Sequence, residues 1–392
     1  MSQAIDASRL PELHEIVAWA LAQARALGAT QAEADVSLQQ GLNLTVRLGE
    51  VETIEYQRDR GLGITVYFNG AKGSASSADL SQQAVRDMVA KACAIARHTA
   101  RDEFAGLADP ADMARDVPDL DLFHAWDLAP EAAIEMARAC EAAGLAVDKR
   151  LTNSEGASVS THRGLRVYGN SHGFLAGYPS TSHSVSCVLL AQDGSDMQRD
   201  YWYTAARSPA ELEPLEQVGR RAGERAIARL GARQISTRKA PVLLAPDMAR
   251  GFFGHMVAAV RGASQYRKSS FLLDALGQQV LPRFVQMHER PHLPRGMASS
   301  PFDGEGVATR DRELVEDGVL KGYVLGSYSA RKLGMKTTGN AGGIHNLIID
   351  SSEGLLGRDA LLGRMGTGLY VTEMLGQGVN GVTGDYSRGA SG

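Results

Sequence analysis

Apolar residues recur every three or four positions at Leu10, Leu13, Ile16, Val17, Ala20, Leu21, Ala24 and Leu27, predicting an amphipathic helix with Gly28 as its stop. The period then drops to two. In "GLNLTVRLGEV", residues 41–51, Leu42, Leu44, Val46 and Leu48 share one face, the pattern of a half-buried strand. "GLGITVYFNGAKGSAS" places Asn69-Gly70 between two further extended runs, a pair suited to a hairpin turn because both residues tolerate positive φ. Leu80, Val85, Met88, Val89, Ala92 and Ile95 then restore the helical period.

After an Asp- and Pro-rich stretch at 108–123, which reads as a linker, the same order of elements recurs. A helix is predicted over 130–143, followed by extended segments that include "SHSVSCVLLAQDGSDMQRDYWYTAA", turning at Asp193-Gly194. Ser208-Pro209-Ala210-Glu211 offers a capping Ser, a Pro for the first turn and a Glu three residues on, so the next helix is expected to open there and end near Leu230-Gly231. The two halves share element order and no sequence identity. A third region starts with "APVLLAPDMARGFFGHMVAAV", a short strand leading into a helix, and continues as Gly-punctuated strands with a hairpin at Asp317-Gly318. The expected class is α+β with three domains: an α/β domain at 1–107, a similar middle domain at 124–235, and a Gly-rich, mainly β domain at 238–392.

Composition narrows the function classes. The chain of 392 residues is 44% hydrophobic and 22% charged, with a formal net charge of −4 and pI near 6.2, which gives no electrostatic reason to expect direct nucleic-acid binding. Cys93, Cys140 and Cys187 cannot all pair and form no C-x-x-C, which favours a reducing compartment. The first residues lack the basic and apolar regions of a signal peptide, and no stretch has the length of a membrane span, so a cytoplasmic protein is expected.

Residues 288–292, "HERPH", fit the letters of the zinc-protease pattern H-E-x-x-H. That chemistry needs both imidazoles on one helical face, four residues apart. Pro291 inside the motif removes a backbone donor and pushes Arg290 toward extended geometry, so His288 and His292 are expected on a non-helical segment. His255 stands alone on a small and apolar helix, a setting more often structural than catalytic. "TTGNAGGIHN" at 337–346 could present backbone N–H groups to an anion or a peptide, and a structural turn is the competing reading. Tyr266, Arg267 and Lys268 could anchor a carboxylate, against the alternative of a solvated helix end. No catalytic constellation emerges from the residues.

The run "GFFGHMVAAVRGASQYRKSSFLLDALGQQVLP", followed by "SPFDGEGVATRDRELVEDGVLKGYVLGSYSARKLGMKTTGNAGGIHN" and "MGTGLYVTEMLGQGVNGVTGDYSRGASG", closely resembles the TldD/PmbA family, and within it the PmbA (TldE) branch once labelled a modulator of DNA gyrase. The resemblance covers nearly the whole chain and is strongest over 241–392. It implies a TldD–TldE heterodimeric zinc metalloprotease that trims unfolded or short peptides. In the TldD branch a helix carries His-Glu-x-x-x-His. With Arg267-Lys268 aligned on the family's Arg-Lys, Gly254 and Ala259 occupy the two histidine positions and His255 the glutamate position. The resemblance therefore implies no catalytic residue and no metal here, with zinc expected in the TldD-type partner. Family members continue for roughly fifty more residues, so the third domain is expected to be truncated.

The expected role is a supporting subunit that helps hold extended peptide, with substrate contacts at Arg267, Lys268, Thr338, Gly339 and His345. Phe252, Phe253 and Met256 on the third region's helix are candidates for the partner interface, with burial inside the domain as the alternative. Homodimerisation of the isolated chain stays open. Rival readings are a self-contained metal-dependent hydrolase using His255 and a regulatory binding protein without proteolysis.

Overall fold

The computed structural model describes residues 5–392; the first four positions, which the expected N-terminal domain includes, lie outside the described residues. The elements run α1 (Leu10–Ala26), β1 (Gln31–Arg47), β2 (Glu50–Phe68), β3 (Ala71–Ser77), α2 (Gln82–His98), α3 (Pro130–Leu145), β4 (Leu151–Asn170), β5 (Leu175–Asp193), β6 (Asp196–Ala206) and α4 (Leu215–Ala228). After these come β7 (Val242–Leu244), α5 (Pro246–Ala259), α6 (Gly262–Tyr266), β8 (Val285–Glu289), β9 (Arg312–Glu316), β10 (Val319–Leu320), α7 (Ser327–Lys332), β11 (Leu347–Ser351), α8 (Arg358–Met365), β12 (Leu369–Val371), β13 (Glu373–Leu375) and β14 (Gly389–Ser391). The chain divides into two compact units. The first holds the chain up to Leu107 with Asp119–Arg233 and Pro294–Met297; the second holds Ala108–Pro118, Gln234–Leu293 and Ala298–Gly392.

The first unit is built on one antiparallel sheet, in the order β3-β2-β1-β4-β5-β6. The period of two seen in the sequence extends along all of β1, where Ala32, Ala34, Val36, Leu38, Leu42, Leu44 and Val46 are buried. A 17-residue strand reaches about 55 Å and a 17-residue helix only about 25 Å, so one helix pair cannot cover it. Two pairs do. α1 and α2 close one core over Ala32–Leu38, Leu62, Ile64 and Val66, and α3 and α4 close another over Leu42, Leu44, Val46, Val185, Cys187 and Leu189. β1 pairs with both β2 and β4, so the two predicted helix–strand–helix repeats share a single sheet.

Two local expectations change. Leu48 does not join the buried face of β1: it sits at φ +50 beside Gly49 at φ +79, in the two-residue turn between Arg47 and Glu50, and is 53% exposed. Ser208 caps only a 3₁₀ turn at Pro209–Glu211, and the helix proper starts at Leu215 after a second proline, Pro214, holds the chain extended. The turns at Asn69-Gly70 and Asp317-Gly318 have positive φ at both residues, as their sequences predicted.

The second unit packs α5 against small sheets: four strands in the order β10-β9-β8-β11, a parallel pair β12-β7 and an antiparallel pair β13-β14. Its core gathers Met256, Val257 and Val260 of α5 with Met287, Leu314, Val315, Leu320 and Leu325.

Candidate functional site

Strand alternation along β8 sends Met287 and Glu289 inward and leaves His288 half-buried, so one carboxylate is forced into the interior. Glu289 is 1% exposed and fully partnered: it accepts from Arg312 Nε at 2.6 Å, Asn340 Nδ2 at 2.7 Å, the His345 backbone N–H at 2.8 Å and His345 Nδ1 at 3.0 Å. Burial works to raise its pKa, but the donors from His345 and the Arg312 charge outweigh it, holding the carboxyl below its usual value. Arg312 also donates to the Tyr323 carbonyl at 2.8 Å and Asn340 Oδ1 at 2.9 Å. One acid thus ties β8 and β9 to the 337–346 loop.

That loop is held at its other end as well. Thr338 Oγ1 accepts from the Leu325 N–H at 2.8 Å and donates to Asn340 Oδ1 at 2.7 Å. Gly339 has φ +72, and a Cβ there would come within 2.6 Å of the Ala308 carbonyl oxygen, so only glycine fits the bend. Asp303, 1% exposed, receives the N–H groups of Glu305 at 2.8 Å, Ala341 at 2.9 Å and Val307 at 3.0 Å. Burial dominates and lifts its pKa to about 6.

Over this frame lies a cleft of about 360 Å³ lined by Asp112, Arg310, Arg312, Lys336, Thr337 and Thr338. With Arg312 already paired to Glu289, Arg310 and Lys336 against Asp112 still suit the cleft to an anionic or carbonyl-rich ligand. Of the residues expected to touch substrate, Thr338 lines the cleft and Gly339 adjoins it. His345 does not: it is buried against Glu289 and works as a support. Arg267 and Lys268 are exposed at the end of α6, with Arg267 lying over the Tyr266 ring at 5.6 Å, and neither lines the cleft. Arg310, Lys336 and Glu289 were missed by the sequence reading. Glu289 stood in the quoted "HERPH", but nothing local marks it as the hub of partners twenty to sixty positions away.

Of "HERPH", His288 and Glu289 end β8 and Pro291 and His292 lie in a turn, so the helical geometry of a zinc motif is absent. His288 Nδ1 hydrogen-bonds the Glu313 carboxylate, and His292 Nε2 bonds Thr309 Oγ1 at 2.9 Å. On α5, Gly254, His255 and Ala259 follow one another as the sequence placed them, and the His255 ring meets Tyr386 edge-on at 5.8 Å. A catalytic zinc takes three protein donors. α5 supplies one imidazole, and among the described residues no group of three His, Cys, Asp or Glu could hold a metal, so the donor set does not fit a catalytic zinc. Met256, expected at an interface, is 7% exposed and belongs to its own unit's core, because helical spacing points it with Val257 and Val260 at the sheet. Phe253 is half-buried against the same core, and Phe252 is 43% exposed, edge-on to Phe253 and Tyr386.

Two sheet-sharing helix–strand–helix repeats are thus followed by a strand leading into a helix and by short Gly-punctuated strands. Family models match in succession: PmbA/TldA metallopeptidase domain 1 over residues 32–96, the central domain over 123–230 and the C-terminal domain over 237–392. The chain belongs to the PmbA/TldD family. Metalloprotease PmbA of Escherichia coli O157:H7 is 52% identical over 361 residues, covering 92% of this chain and 80% of that protein. The Haemophilus influenzae PmbA homolog is 48% identical over 381 residues, 97% of this chain and 84% of its own length. In fold, the chain matches a Bacteroides thetaiotaomicron protein called a modulator of DNA gyrase, with TM-score 0.91 at 27% identity over 97% of this chain and 86% of that one. TldE from Thermococcus kodakarensis matches with TM-score 0.81 at 20% identity, over 92% of this chain and 83% of that one, a likeness of fold. No helix among the described residues is long and apolar enough to cross a membrane.

Proposed function

We propose that this chain is the non-catalytic, PmbA/TldE-type subunit of a two-subunit zinc metallopeptidase, and that it helps hold extended peptide for a TldD-type partner that carries the zinc. The observation that carries this reading is the donor set of α5: Gly254 and Ala259 flank a single His255 packed on Tyr386. The cleft supplies the second part of the role. Arg310 and Lys336 can take a peptide carboxylate, while the Thr337 and Thr338 hydroxyls can bond main-chain carbonyl or N–H groups, which gives affinity without demanding one side-chain sequence. Glu289 and Asp303 keep the cleft's loop in place, so binding costs little reorganisation. Three free thiols suit the cytoplasm, where we place the complex.

The test separates the parts of the proposal. Purified chain should carry well under one zinc per molecule by elemental analysis and leave unfolded peptide intact; peptide cleavage should appear on adding a TldD-type subunit. Arg310→Ala with Lys336→Ala should raise the KM of that mixture several-fold and leave zinc content unchanged. Stoichiometric zinc with chelator-sensitive cleavage by the chain alone would overturn the reading.

A further inference from the structure

In the second unit, three chain segments meet around another concavity, of about 380 Å³: the turn before β8, the β9–β10 hairpin and the turn after β11. Backbone bonds fix the three against one another. Val280 and Leu281 N–H donate to the Gly318 carbonyl at 2.9 and 3.1 Å, Gly318 N–H to the Val285 carbonyl at 3.1 Å, and Ser352 N–H to the Phe284 carbonyl at 2.9 Å. At Gly318, φ +73, a Cβ would come within 2.2 Å of the Leu281 carbonyl oxygen, so only glycine lets the hairpin press onto the turn. The neighbouring Asp317 is set by Gln286, whose Nε2 donates to its Oδ1 at 2.8 Å and whose Oε1 accepts its N–H at 3.0 Å. The concavity is thus shaped before any ligand arrives, which lowers the cost of binding.

Its lining carries charge of both signs. Arg283 and Glu353 are exposed, and among the described residues neither has an ion-pair partner. Asp317 adds a second acid, while Val319 and Phe284, the latter 42% exposed, add an apolar wall. The Ser352–Phe284 bond sets Glu353 and Arg283 each one residue from the same backbone contact, so one small ligand can meet both. A simple anion would be repelled by Asp317 and Glu353, and a simple cation by Arg283; a zwitterion answers both signs. A guanidinium takes a carboxylate through two parallel hydrogen bonds, and an ammonium offers three donors to carboxylate oxygens. An apolar group on the same small molecule would then cover the Phe284 ring. Lys321 already feels the Asp317 charge, so Glu353 is the cleaner reporter of the two acids.

We propose that this concavity binds a free α-amino acid with an apolar side chain, its carboxylate on Arg283, its ammonium on Glu353 and Asp317, and its side chain against Phe284. The concavity shares no lining residue with the Arg310–Lys336 cleft, and the proposal stands apart from the catalytic reading above. The experiment is saturation-transfer NMR of the full chain with L-phenylalanine, with circular dichroism to show that each variant folds. N-acetylphenylalanine, phenylalaninamide and glycine serve as probes that each lack one of the three groups. Open solvent weakens the ion pairs, so phenylalanine should bind with a Kd of about 1 mM. Each of the other probes should bind on the order of tenfold more weakly. R283A should weaken phenylalanine to the level of its amide and leave the amide unchanged, and E353Q should narrow the gap between phenylalanine and N-acetylphenylalanine. Phenylalanine that fails to bind at roughly 10 mM, probes that all bind alike, or variants that bind as the wild type does would overturn the proposal. So would binding lost in R310A and kept in R283A, which would place the amino acid in the other cleft.

Discussion

Glu289 and Asp303 are two buried carboxyls with opposite responses to pH. Glu289 is held below its ordinary 4.5, so its contribution to stability is complete above that value and is lost as pH falls through the folded value. Asp303 is raised from 3.8 to about 6, so it favours the folded state below 3.8, and that contribution is lost as pH rises through 6. Urea midpoints over a pH series should therefore show a wild-type decline between about 4 and 6 that Asp303→Asn abolishes; the same slope in the variant would assign it to another group. Glu289→Ala should cost about 3–5 kcal/mol, since it strands the Arg312 charge in the interior. A cost below about 1 kcal/mol would mean that water reaches Arg312 and replaces the pair.

At the scale of elements, α5 separates structural from surface positions. Met256→Asp puts a charge into the core of the second unit and should unfold it, whereas Phe252→Asp should fold normally and weaken binding to a TldD-type partner. Full association by the Phe252 variant would remove this face of α5 from the interface. Periodic patterning and turn pairs made α1, α2, α3, the β1–β3 strands and both hairpins legible, because each is decided by neighbours within a few residues. The proline-rich start of α4 was not, since Ser208-Pro209-Ala210-Glu211 satisfies the local rule and only Pro214 downstream stops the turn from propagating. At the 337–346 loop the Gly-rich turn is legible in the sequence, but the burial of His345 against Glu289 is not. Its role depends on Glu289, which the strand pairing Glu289↔Leu347 brings to the loop's end from 56 positions away.

At the scale of the whole chain, the two units exchange segments. Residues 108–118 lie between parts of the first unit yet belong to the second, where Ala114 N–H bonds the Gly306 carbonyl at 3.0 Å and Ala308 N–H bonds the Asp112 carbonyl at 3.0 Å. Residues 294–297 do the reverse: Arg295 pairs with Glu211 at 3.0 Å, its N–H bonds the Leu120 carbonyl at 2.9 Å, and Arg207 donates to the Met297 carbonyl at 2.8 Å. Between the units' main bodies, residues 231–241 are exposed throughout and carry Arg233, Arg238 and Lys239 without helix or strand. Exposed segments of this kind are where proteases nick first. Brief trypsin treatment should cut there before any site in β1–β6, giving fragments of about 235 and 155 residues on a denaturing gel. On a native column the nicked halves should elute together, because each carries a segment folded into the other's unit. Co-elution should fail once urea unfolds either unit. Halves that part under native conditions would show that the exchanged segments add too little to hold the molecule as one.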